Sequence, residues 1–189
     1  MREFNFALLF LLFSTSIFCQ DSLWKQKIVN PVLSLQLPAK LVTQEASFVR
    51  AFGGEVYSNY YALQYYDTTF LPVNNEQDFQ ISLTGFMSGR VRDSVLKRYN
   101  VLVVDTAISG VKGLFATFTT EAVSETYKQI YYFVTLANNQ YYWFQVYMPN
   151  LDQSNTEVHH FFKSIKFNTS ILKESAFRLT PVHLVKKAE

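Results

Sequence analysis

YKQIYYFVTLANNQYYWFQVYM, residues 127–148, is the stretch whose reading decides the fold. Two extended runs, residues 127–136 and 141–148, flank the polar interval Ala137-Asn138-Asn139-Gln140. Tyr, Phe, Trp, Val and Ile suit a pleated, packed surface, and Asn accepts the left-handed backbone that a tight turn needs. A sheet with one wet face alternates apolar with polar residues. Here Tyr131, Phe133, Tyr141, Trp143 and Tyr147 fill the second face as well. Strands apolar on both faces belong to a sheet covered on both sides. The register has two solutions. An odd loop such as Asn138-Asn139-Gln140 pairs Leu136 with Tyr142, and this register is the expected one. A two-residue Asn-Asn turn pairs Leu136 with Tyr141 and Val134 with Trp143.

Outward from this hairpin, residues 111–120 read as a third strand and residues 101–104 as a short buried one. Upstream, Val32-Leu33-Ser34-Leu35-Gln36-Leu37 alternates until Pro38, which cannot donate to a ladder. Residues 46–67 carry two extended runs, divided by Gly53-Gly54 as an expected turn. In the second run Tyr61, Leu63 and Tyr65 share one face; Tyr60, Ala62, Gln64 and Tyr66 share the other.

Two segments switch to helical spacing. Phe79, Leu83, Phe86, Met87, Val91, Val95 and Leu96 recur every three or four residues, predicting a helix over residues 75–98 with Asn75 as N-cap. Gly89 weakens it by about 1 kcal/mol relative to Ala. Val158, Phe161, Phe162 and Ile165 predict a second helix over residues 151–165, capped by Asn150 or Ser154 and followed by a short closing strand at Lys166-Phe167-Asn168. With one helix on each face of an antiparallel sheet, the expected class is α+β, an α/β/α sandwich.

The chain has 189 residues, 49% hydrophobic and 17% aromatic, which suffices for one domain with its own core. The net charge of +2, with no long Lys/Arg run, gives no footprint for nucleic acid. Residues 1–19 read as a signal peptide: Arg2 opens a short basic region, and Phe6 to Phe13 form an apolar core too short to span a bilayer. A lipoprotein signal would acylate Cys19, but Phe18 stands where that signal needs a small residue, so soluble export to the periplasm or the medium is preferred. No later stretch is apolar enough for a transmembrane helix. Cys19 is the single cysteine, so cleavage after it leaves neither disulfide nor thiol nucleophile. Residues 28–168 form the expected domain, and residues 169–189 a basic tail.

Reactive motifs are sparse. His159 and His160 are adjacent, hence about 100° apart on a helix and poor joint ligands for one metal. His183 lies in the tail with no partner at a suggestive spacing. Ser88-Gly89 is no nucleophile elbow, Asp152–Asn155 is too short for a calcium loop, and no glycine-rich phosphate loop occurs. Asn168-Thr169-Ser170 fits a glycosylation triplet. No metal or cofactor is expected. Stacked aromatics can hold sugars or peptides, and the candidates for a ligand or partner are Tyr57, Tyr60 and Trp143.

The order of elements resembles the PsbP/Mog1-like fold and the small secreted bacterial proteins that share it. The resemblance rests on LSLQLP (33–38), Gly110-Val111-Lys112-Gly113, the YYFVTL–YYWFQVYM hairpin and the ending Phe161-Phe162-Lys163-Ser164-Ile165-Lys166-Phe167. It covers residues 28–168, and the succession of motifs carries it rather than any one of them. It implies an exported, non-enzymatic binding or assembly module with a protein partner in the cell envelope. The alternatives are a small hydrolase whose site converges from distant segments, and a carrier of a small apolar or aromatic ligand.

Overall fold

Short turns with left-handed backbone set the sheet. Val56 pairs with Asn59, so Tyr57 and Ser58 alone make the turn, at φ 49° and 69°. Ile108 pairs with Val111 around Ser109 and Gly110, at φ 52° and 77°. Two-residue turns of this kind match the right-handed twist of the strands they join. Gly110 takes the conformation freely, whereas Tyr57 and Ser58 take it at a cost on the order of 1 kcal/mol each.

The computed structural model describes residues 23–67, 76–90, 102–119, 126–138, 140–150 and 156–172. Among them are ten strands and two helices. In chain order these are β1 (Trp24–Ile28), β2 (Leu33–Pro38), β3 (Val42–Ala46), β4 (Val49–Val56), β5 (Asn59–Asp67), α1 (Glu76–Arg90), β6 (Leu102–Ile108), β7 (Val111–Thr119), β8 (Gln129–Ala137), β9 (Gln140–Met148), α2 (Thr156–Ser164) and β10 (Lys166–Phe167). Seven strands form one antiparallel sheet in the order β3-β4-β5-β9-β8-β7-β6, and three form a second in the order β1-β2-β10.

The α/β/α sandwich is therefore not the architecture. The protein is mostly β, with two antiparallel sheets. The aromatic pattern does demand cover on both faces of the large sheet, but on one face much of that cover is the small sheet. Leu33, Leu35 and Leu37 of β2 are buried in a core with Tyr61, Leu63, Phe133 and Phe144. Helix α2 packs against β2 and adds Val158 and Phe161 to the same core. Trp24 of β1 ties the helix down, its indole donating to Glu157 at 3.0 Å and its ring meeting Tyr61 edge-on at 4.8 Å. A second core lies on the opposite face, where Leu83 of α1 is buried with Tyr66, Tyr132, Val134, Tyr141 and Trp143.

Three local expectations are also corrected. Ala137 pairs with Gln140 and Leu136 with Tyr141, so the central hairpin turns in two residues and the odd loop is not used. Asn138, at φ 50°, supplies the left-handed position. Gly53 and Gly54 make no turn; they lie inside β4. A Cβ on Gly53 would stand 2.1 Å from the Tyr60 hydroxyl, and one on Gly54 2.3 Å from the Lys40 carbonyl, so close approach calls for glycine there. The strand expected at residues 101–104 extends through Ile108.

The face assignment of Tyr61, Leu63 and Tyr65 against Tyr66 holds: the first three belong to the core beneath β2, the last to the core beneath α1. Lys166 and Phe167 pair with β2 as the closing strand. The signal segment, the helix over residues 91–98, the caps Asn75 and Ser154, and the tail beyond residue 172 lie outside the described residues.

Candidate functional site

The two-residue turn after Ala137 decides what the α1-side face carries. Because directly paired residues share a face, three rows cross β3, β4, β5 and β9. Gln44, Ala51, Gln64 and Trp143 make one row, and Val42, Gly53, Ala62 and Gln145 the next. Glu55, Tyr60 and Tyr147 make the third. The middle row holds the small residues Gly53 and Ala62, with the longer Gln44, Gln64, Tyr60 and Tyr147 on either side. A depression follows from that size difference: an open groove of about 280 Å³ lined by these residues together with Ala51, Gln145 and Tyr127. The Tyr60 phenol passes where a Cβ on Gly53 would be, so glycine leaves room for this ring position.

The polar groups of the groove are tied together. The Tyr147 hydroxyl donates to Gln145 Oε1 at 2.6 Å and lies 3.1 Å from the Tyr132 hydroxyl. The Tyr66 hydroxyl donates to Gln64 Oε1. Both carboxamide oxygens are thus occupied by phenols, which leaves the amide nitrogens as the donors on offer. Gln145 is 2% exposed, and its Nε2 has no hydrogen-bond partner. A buried donor without an acceptor costs about 1–3 kcal/mol. Burial raises the Tyr132, Tyr147 and Tyr127 phenols above their ordinary value, with Glu55 adding to the effect at Tyr127. These phenols therefore stay neutral across physiological pH and can donate as well as accept.

Among the described residues, the lining has no Lys, Arg, Asp, Glu, His, Ser or Cys. It offers amide donors, phenols and ring faces, a set suited to holding an uncharged polar molecule. Among the described lining residues, the side chains able to move a proton are the phenols of Tyr60, Tyr127 and Tyr147.

Of the three residues the sequence singled out, Tyr60 lines the groove. Tyr57 is 63% exposed in the β4–β5 turn. Trp143 is 7% exposed in the core under α1, meeting Phe86 edge-on at 6.0 Å and Tyr132 at 5.1 Å. The structure does not bring the three together in one pocket. His159 and His160 are both exposed, and His160 Nε2 lies 2.5 Å from Gln36 Oε1. Among the described residues no three His, Cys, Asp or Glu side chains gather as a metal site.

Gln44, Gln64, Gln145, Tyr127 and Tyr147 were not singled out by sequence reasoning. One signal was present: Gln145 is the sole strongly polar residue in residues 141–148, and a lone amide in a strand apolar on both faces calls for a partner.

No family model matches the sequence, and no curated protein matches it. Among solved structures, a crystal structure from Bacteroides thetaiotaomicron VPI-5482 is similar over 75% of this chain, at 13% identity and a TM-score of 0.45. The match takes in 48% of that protein, so the likeness spans about half of its length.

Proposed function

We propose that this chain is an exported, non-enzymatic binding module of the cell envelope, and that the groove over Gly53 and Ala62 is its ligand seat. The observation that carries the reading is Gln145, a buried carboxamide that lines the groove with its Nε2 unpaired. Such a group costs stability in the fold, and a ligand acceptor would complete its hydrogen bonding. That the described lining residues include no carboxylate, histidine, serine or cysteine supports binding over hydrolysis at this site. Export rests on the leader in residues 1–19. The resemblance to PsbP/Mog1-like secreted proteins points to the same broad class of binding and assembly factors.

Two experiments test the two halves of this reading. A fragment screen followed by 1H–15N NMR should shift the side-chain amides of Gln64 and Gln145 and the backbone of Tyr60 before any signal of α2. Shifts scattered evenly over the surface would remove the groove as the seat. A reporter fused after residue 22 should be found outside the cytoplasm; a reporter retained in the cytoplasm would remove the export.

A further inference from the structure

We infer that the groove takes a neutral saccharide unit, its ring lying on the tyrosine walls and its hydroxyls meeting the glutamine amides. The inference rests on the groove being the ligand seat and adds the chemistry of what sits in it. Four properties of the site select this class.

First, the described lining residues are uncharged. A phosphate, carboxylate or sulfate would meet no cation, and an ammonium or metal ion no carboxylate. Glu55, on the row of Tyr60 and Tyr147, is a nearby negative charge, and its sign repels anions. Second, the floor lies on the face of paired strands. The backbone donors and acceptors of β4, β5 and β9 are used in ladders on both sides, so an extended peptide cannot add over these strands and specificity there must come from side chains. Third, those side chains alternate flat and polar. The Tyr60 and Tyr147 rings are tilted with centroids 6.1 Å apart, the Tyr127 ring lies 5.3 Å from that of Tyr147, and Gln44, Gln64 and Gln145 line the same groove. A pyranose has the same two-sided character, with a C–H face for a ring and a rim of hydroxyls for amides and phenols. A fatty chain would leave those amides without acceptors. Fourth, about 280 Å³ lies at the lower end of the range for small-molecule sites, room for one ring rather than a long chain.

Within this arrangement Gln145 is the specificity-determining residue. Its Oε1 is occupied by the Tyr147 hydroxyl, so its Nε2 asks for an acceptor. A ligand hydroxyl or acetamido oxygen at the floor supplies one, and a hydrocarbon ring of the same size does not.

The test is a calorimetric titration of the wild-type chain with methyl glucoside, methyl mannoside and N-acetylglucosamine, beside a blocked alanine dipeptide amide and indole. At least one sugar should bind, and Tyr60→Leu and Gln145→Met should each weaken it tenfold or more. Tyr60→Leu alters a groove wall outside both cores and keeps the measurement interpretable if the buried variant folds poorly. Binding of the dipeptide or indole with no sugar bound would overturn the saccharide assignment and keep the groove as the seat. Sugar binding unchanged in both variants would move the site elsewhere and overturn both. No binding by any probe would also overturn both.

Discussion

The α1-side face of strands β5 and β9 has two halves that differ in chemistry and in cover. Toward the Asp67 end of β5, Tyr66 and Tyr141 are directly paired, with Trp143 beside them. Phe86 of α1 stacks on Tyr141 at 4.7 Å and meets Tyr66 edge-on at 5.1 Å. Toward the Asn59 end, the pairs are Tyr60 with Tyr147 and Ala62 with Gln145, and the face opens as a groove. One hairpin and one register produce both halves, so the difference lies in the side chains. Large rings gain most by excluding water and so recruit a helix. Amides, phenols and small residues keep polar partners in view and leave a depression. The open half keeps a buried amide, Gln145, where the covered half packs rings.

The largest effect is expected in the covered half. Trp143→Ala should cost about 3–5 kcal/mol, read as a lowered urea midpoint, because it empties the space between Phe86 and Tyr132. A loss under 1 kcal/mol would mean that α1 does not depend on this ring.

The opposite face of the sheet supplies the next prediction. Burial pushes the phenols of Tyr61 and Tyr142 up to about 12, against hydrogen bonds with Asn59 and Asn30 that pull them down. A pKa raised in the fold means that the folded chain holds the proton more tightly than the unfolded one. The stability from each phenol is therefore complete below pH 10 and lost as the pH rises from 10 to 12, about 2–3 kcal/mol each at the top of that window. Tyr61→Phe should flatten part of the alkaline decline in a pH series of urea midpoints. An unchanged slope would show that Tyr61 is not the titrating group.

Gly53→Val sharpens the contrast from the open side. The added atoms fall on the Tyr60 phenol, which is the far end of a flexible chain, so the ring should swing aside at a cost of about 1–2 kcal/mol while the floor fills. The fold should survive and ligand binding should not. Loss of folding would place Gly53 with the core rather than with the site.

Much of this fold can be read from the chain, for definite reasons. Residues 127–148 read as two strands because aromatic and β-branched residues dominate them, and β8 and β9 occupy that stretch. The face split of β5 is readable from its period of two. The small sheet is not. β1 reads WKQKI, with more charge than apolar surface, and β10 is two residues long. Their place beside β2 comes from long-range pairing, which local pattern does not encode. The odd-loop register expected for the central hairpin is not the one used: with both faces aromatic the pattern gave no check on it, and a shift of one residue moves every side chain to the other face. That shift governs the site, since the observed register sets Gln145 opposite Ala62 and Tyr132. Tyr60 was legible as an aromatic at a strand end. Gly53 and Ala62 were not legible as a floor, because a depression is made by neighbours on three strands.

The central claim is that Gln145 is kept for a partner outside the fold, and Gln145→Met tests it most directly. Methionine fills nearly the same volume, and the Tyr147 hydroxyl keeps Tyr132 at 3.1 Å. Removing an unpaired buried amide should leave the urea midpoint within about 1 kcal/mol of wild type, or raise it. A loss above about 2 kcal/mol would show that the amide already serves the fold, and the groove would then lose its claim to a ligand.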